Sequence, residues 1–228
     1  MIKNYLSDFL KYLATRDSNA SDRLPSLLEL SRELGVSVAS LREQLEVARM
    51  MGLVEVRPKT GIRLQPYSFS PSVVQSVSFA IAKDPDLFTS FSDLRRHLEA
   101  AYWKEAVGYL TSDDLVVLQD LVRSAKMKLQ LSPPQIPHSE HRELHLLIYK
   151  RLNNPFVNGI LEAFWTIYEE SGMNVYADIN YLDKVWQFHE RMVEALVAGN
   201  LSEGYQALLE HMDLIYLRPK SKTQHSFE

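Results

Sequence analysis

The stretch "HSEHRELH", residues 138–145, gathers three of the chain's seven histidines into eight positions. Residues four apart on a helix differ by about 40° in direction, so His141 and His145 can aim at one ion. Two more histidines sit where a helical period turns them inward. His189 shares a face with Val185, Phe188, Met192 and Leu196, and His211 shares one with Leu208 and Leu214. A neutral imidazole on an apolar face needs a partner, which a hydrogen bond or a metal ion can supply. Any one of them taken alone reads first as a hydrogen-bonded core histidine. His138 follows Pro137 at a helix start and reads as solvated or capping, while His97 and His225 read as surface residues.

The same stretch raises the question of hydrolysis. Zinc peptidases use His-Glu-x-x-His, which holds the glutamate near the ion. Here the order is His-x-Glu-x-His, which turns Glu143 roughly 160–200° away from both histidines and out of reach of an ion they hold. The sequence also contains no Ser-His-Asp set, no phosphate-cradling glycine loop and no cysteine. A metal-dependent hydrolase is the minority alternative, and no catalytic residue is assigned.

The elements that must position these histidines follow from composition and period. With 228 residues, 46% hydrophobic and only eight glycines, the chain reads as a helical globular protein of one large or two smaller domains. The net charge of −4 argues against a protein that coats nucleic acid non-specifically. Charge is uneven, however: residues 1–65 carry ten Lys/Arg against eight Asp/Glu, and the remainder fifteen against twenty-one. A mildly basic unit followed by an acidic one fits two domains with different partners. No apolar run is long enough to span a bilayer, and "MIKNYLSDFLKYLATRD" lacks the continuous apolar core of a signal peptide. Without cysteine there is no disulfide framework, so a cytoplasmic protein is expected.

"PSLLELSREL" is one helix, "GVS" breaks it, and Ser37 can cap a second helix, "VASLREQLEVARMMG". "LVEVR" and "IRLQ" then read as two short strands around the turn "PKTG". Together residues 1–65 form a winged helix-turn-helix with a small β-hairpin wing. "PYSFSPS", 66–72, reads as the linker. Residues 73–217 read as an all-α bundle of about six to seven helices, over 73–83, 89–110, 112–130, 138–152, 155–171, 178–199 and 201–217, with Ser112 as a cap. Residues 218–228 read as a flexible tail. The expected fold class is mainly α.

The segment "LPSLLELSRELGVSVASLREQLEVARMMGLVEVRPKTGIRL" resembles the N-terminal domain of GntR-type bacterial transcription regulators. The helical remainder is similar to the ligand-binding FCD domain of the FadR branch of that family, and the resemblance spans roughly residues 20–216. In metal-binding members an aspartate and a histidine sit four apart on one helix, with two histidines on the last two helices. The resemblance thus implies a metal set of His141, His145, His189 and His211, with His141 standing where the family has aspartate. Arg95, in "DLRRHLEAA", matches an arginine facing the effector cavity, and Tyr102 lies two turns further along that helix.

For DNA, the resemblance points to the start of the second helix, Ser37, Val38, Ala39, Ser40 and Arg42, and to the wing, Arg57, Lys59, Thr60 and Gly61. Leu28 and Val38 stand where family members often carry arginine. A changed operator is therefore expected, with Val38 or Ala39 touching a thymine methyl. The implied partners are a near-palindromic double-stranded operator, a second copy of the chain as a homodimer, and a small carboxylate or other anionic metabolite. The implied cofactor is a divalent transition metal, zinc or nickel by the preference of imidazole. Histidine in place of aspartate leaves about +2 rather than about +1 at the ion, which favours a di- or tricarboxylate or inorganic phosphate. The alternative is a regulator in which the ion itself is the signal.

Overall fold

A computed structural model describes residues 5–16, 22–59, 61–170 and 178–214. Thr60 of the wing, His225 and the expected tail at 218–228 lie outside these residues. The chain divides into two compact units, Met1–Ser76 and Val77–Glu228.

The first unit runs α1 (Asp8–Ala14), α2 (Leu27–Leu34), α3 (Val38–Met50), β1 (Val54–Arg57) and β2 (Gly61–Leu64). Ser26 and Glu29 start α2 with a reciprocal cap: the Glu29 amide donates to Ser26 Oγ at 3.3 Å, and the Ser26 amide donates to Glu29 Oε2 at 2.8 Å. The helix stops at Gly35, whose φ of 67° is left-handed and suits a residue without a β-carbon. Two residues on, Ser37 Oγ accepts from the Ser40 amide at 3.2 Å and starts α3. "GVS" is thus the turn of the helix-turn-helix. Leu30, Leu41 and Ala48 point into a core with Phe9, Leu13, Val54 and Ile62. The Phe9 amide, donating to Gln44 Oε1 at 2.8 Å, ties α1 to α3. The hairpin is antiparallel, pairing Val54 with Leu64 and Arg57 with Gly61. At Gly52, φ is 72° and a β-carbon would lie 2.6 Å from Pro71 Cγ, so only glycine is accommodated there.

The helix α4 (Ser70–Lys83) spans the division between the units. It takes in the end of the expected 66–72 linker. The Ser70 amide donates to Ser68 Oγ at 3.2 Å, and Pro71 is tolerated in a first turn that has no amide to satisfy. Then follow α5 (Leu87–Gly108), α6 (Ser112–Leu129), α7 (His138–Tyr149), α8 (Pro155–Glu170), α9 (Ile179–Val197) and α10 (Leu201–Asp213). Counted with α4, these are seven helices among the described residues, against the six to seven expected from the sequence. Trp103, Ile148, Leu161, Met192 and Leu208 meet in the core of the second unit. Among the described residues no helix is long and apolar enough to cross a membrane.

The cap of α6 is Thr111, one residue before the expected Ser112. Its Oγ1 accepts from the Asp114 amide at 3.3 Å, and its own amide donates to Asp114 Oδ2 at 2.8 Å. Losing such a cap costs about 1 kcal/mol. Thr111→Ala is expected to lower the melting temperature by about 3 °C, read by calorimetry. An unchanged melting temperature would show that water replaces the cap.

Candidate metal centre

Three helices bring the four histidines together. His141 and His145 lie one turn apart on α7, His189 lies on α9 and His211 on α10. One nitrogen from each ring lies within 4.8 Å of the others. His145 Nε2 is 3.1 Å from His189 Nε2 and 3.2 Å from His211 Nε2. His145, His189 and His211 are buried; His141 is partly exposed as a residue, but its Nε2 is enclosed. The His141 ring meets Trp165 edge-on at 4.6 Å and lies 4.8 Å from His189. Neither His141 Nε2 nor His211 Nδ1 has a hydrogen-bond partner among the described residues.

Burial holds His141, His189 and His211 well below the ordinary imidazole pKa, and the neighbouring rings push in the same direction. Burial also lowers His145, against the opposing pull of Glu99. The rings are therefore neutral near pH 7 and present lone pairs rather than charges. Four neutral imidazoles whose nitrogens converge within 4.8 Å, His141 Nε2 enclosed among them without a partner, fit a borderline-soft divalent ion far better than a hard cation such as calcium or magnesium.

Behind His145 stands a residue that sequence reasoning missed. Glu99, on α5, is fully buried. Its Oε2 lies 3.1 Å from His145 Nδ1, and its Oε1 accepts from Arg95 Nε at 2.7 Å. Burial works against its charge, yet Arg95 and His145 together hold its pKa at about 2. An ionised carboxylate only accepts, so the hydrogen of the neutral His145 ring sits on Nδ1 and the lone pair of Nε2 faces the other histidines. Tyr149 fastens the same turn, its hydroxyl donating to the Glu99 carbonyl at 2.8 Å. A signal existed in the sequence: Glu99 is one helical turn past Arg95, on the face of Phe91, Ser92 and Trp103.

Arg95 is buried, with its guanidinium carbon 4.4 Å from the Phe164 ring centroid and 4.6 Å from that of Trp165. Its Nη2 has no hydrogen-bond partner among the described residues. It lines a cavity of about 40 Å³ with Arg96, His141, Tyr181 and His211, enough for a few waters. Tyr102 is not brought to this cavity. It shares the Arg95 face, but seven residues carry it about 10 Å along the helix axis, and its hydroxyl accepts from Asn154 Nδ2 at 3.4 Å. Glu143 is exposed and lines a different groove with Leu146 and Leu147. His138 is half-buried and outside the quartet, and His97 is exposed beside Asp93.

In the first unit, Ser37 and Ala39 are exposed at the start of α3, and Val38 and Ser40 are half-buried, Ser40 Oγ accepting from Gln44 Nε2 at 3.2 Å. Arg42 is exposed and, among the described residues, makes no ion pair; Glu46 is taken instead by Arg49, with Nε to Oε2 at 2.8 Å. Arg57 is exposed but paired with Glu55 at 2.7 Å. Lys59 and Gly61 are exposed in the wing, with φ of 68° and 83°. Leu28 is 55% exposed on α2.

Residues 91–214 match the FCD domain family. The chain belongs to that family. Relatives extend the likeness across both units. The HTH-type transcriptional regulator LutR of Bacillus subtilis is 24% identical over 196 residues, 84% of this chain and 88% of that protein. The Uxu operon transcriptional regulator of Escherichia coli is 24% identical over 205 residues, 88% of this chain and 79% of that protein. The solved structure of Streptococcus agalactiae GntR superimposes with a TM-score of 0.63 at 20% identity, covering 94% of this chain and 98% of that one, and shows the shared fold. The chain is a GntR-family regulator with an FCD domain, and its relatives are transcriptional regulators rather than enzymes. That removes the hydrolase alternative. The matched FCD region encloses Arg95, Glu99 and all four histidines.

Proposed function

We propose that this regulator, of the FadR branch, binds a near-palindromic operator as a homodimer and that a small anion bound in its FCD domain, beside a divalent ion, controls operator affinity. The convergence of four neutral imidazole nitrogens within 4.8 Å, next to an arginine-lined cavity, carries this reading. His141, His145, His189 and His211 would hold zinc or nickel, and the bound ion would supply a Lewis-acidic, doubly positive centre for an anion. Glu99 and Arg95 cancel one another, so His141 in place of a carboxylate leaves that charge uncompensated. Arg95 offers Nη2 and Arg96 its guanidinium along the same cavity. A cavity of about 40 Å³ favours a compact anion, inorganic phosphate or a short carboxylate, over a tricarboxylate.

At the other end of the chain, Ser37, Ala39, Ser40 and Arg42 would face base edges, with Val38 or Ala39 against a thymine methyl, and Lys59, Gly61 and Arg57 would lie along the backbone. The effector must bind the DNA-competent and DNA-incompetent arrangements unequally to switch anything. A thermal-shift screen of inorganic phosphate and small acids, with zinc present and with chelator, tests the proposal. Stabilisation by a compact anion only with the ion is expected, and the same anion should change operator affinity. Operator affinity that follows zinc alone, indifferent to every anion, would favour the ion as the signal.

A further inference from the structure

Glu99 is the one buried carboxylate among the described residues that contacts both a ring of the histidine quartet and the cavity arginine. Its two oxygens are divided: Oε2 to His145 Nδ1 at 3.1 Å and Oε1 to Arg95 Nε at 2.7 Å. His145 is in turn the ring whose Nε2 approaches two others, at 3.1 and 3.2 Å. The carboxylate therefore sits behind the ring whose Nε2 meets two of the other three.

Building on the four-imidazole reading above, we propose that Glu99 is the positioning residue of this centre: it fixes the His145 ring with Nε2 bare toward the quartet and, through its other oxygen, holds the Arg95 guanidinium at the cavity wall. Three observations combine. The ring has two nitrogens, and an acceptor behind Nδ1 leaves only Nε2 as the lone pair. The carboxylate is shielded from water, so nothing in solvent replaces it if it is lost. And the Arg95 guanidinium lies against the Phe164 and Trp165 rings, which stand at 87° to one another, so the rings limit it on two sides while its reach along α5 follows from Glu99. Movement of Glu99 toward one partner loosens it from the other. Ion uptake by the quartet and anion uptake at Arg95 consequently share one carboxylate and should influence each other's affinity in both directions.

The test is a chelator-competition titration with zinc on the full chain, comparing the wild type, Glu99→Gln and the double variant Arg95→Met/Glu99→Gln. Glutamine keeps one acceptor oxygen for two donors and removes the charge that balances Arg95. The double variant removes that unbalanced charge and restores a neutral pair of similar shape. A fall in zinc affinity of roughly 10–100-fold is expected in both variants, since supporting partners of metal-bound histidines carry effects of that size. Recovery of wild-type affinity in the double variant would overturn the proposal, because Glu99 would then matter only as the counter-charge of Arg95. Nitrogen-15 correlation spectra of the metal-free proteins give a second readout. The wild type should show the His145 hydrogen on Nδ1, and Glu99→Gln a mixture of tautomers. Identical tautomers in the two would overturn the role of Glu99 even if zinc affinity falls. If the wild type takes up no zinc, the four-imidazole reading fails by itself, and the tautomer comparison alone then decides whether Glu99 positions the ring.

Discussion

Replacing Arg42 by alanine is expected to weaken operator binding by roughly 30- to 20,000-fold, the range given by losing one bidentate base contact of about 1–3 kcal/mol in each of two half-sites. The structure gives this arginine its prominence. It sits in the first turns of α3, exposed, while the acid one turn further on is already held by Arg49. Its neighbour Arg49 is tied to Glu46 and should matter far less. Lys59→Ala in the wing should weaken all sequences about equally and make binding less steeply dependent on salt. The measurement is fluorescence anisotropy on a site selected from a random DNA library, at two salt concentrations. Equal affinity of Arg42→Ala and the wild type for that site would remove α3 as the reading helix. Selection of the half-site usual for regulators with arginine at positions 28 and 38 would refute the apolar readout assigned to Val38 and Ala39.

Stripping the divalent ion from the wild type should lower the melting temperature of the helical unit by about 10 °C. A ligand that binds only the folded state stabilises it by about 3–4 kcal/mol when present at 100–1,000 times its dissociation constant. The direction follows from the site. Without an ion, His145 Nε2 lies 3.1 Å from His189 Nε2 and 3.2 Å from His211 Nε2, and His141 Nε2 is enclosed without a hydrogen-bond partner among the described residues. That buried, unpaired nitrogen is costly, and an ion would take its lone pair with those of the converging rings while tying α7, α9 and α10 together. His189→Ala should lose most of the dependence on ion, melting at nearly the same temperature with zinc and with chelator. A wild-type melting temperature unmoved by chelation and by added zinc would count against a folded-state ion.

Much of this was legible in residue order. The turn "GVS" between two capped helices, the alternation of the wing strands and the proline and glycine breaks of the helical unit specify their elements locally. The inward direction of His189 and His211 was also readable, because their apolar neighbours recur at the helical period. Other features depend on which helices meet. Trp165, whose ring stands 4.6 Å from His141, lies on α8, and no periodicity links it to the histidines. Glu99 reads in sequence as an ordinary i,i+4 partner of Arg95; only the packing of α5 against α7 places His145 on its other oxygen. Tyr102 shows the opposite error. Angular spacing put it on the correct face of α5, but height along the axis decides which neighbour it meets, and that neighbour is Asn154. The linker was overextended because Ser70 and Pro71, turn formers by type, here open a helix.

The central claim is that one divalent ion occupies the four imidazoles. Elemental analysis of the purified full chain, paired with an equilibrium zinc titration of the wild type and of His145→Ala/His189→Ala, addresses it directly. The account predicts one tightly held ion per chain in the wild type and none in the double variant, with the helical content of both unchanged by circular dichroism. Wild type and double variant binding zinc alike, or neither binding it, would contradict the account.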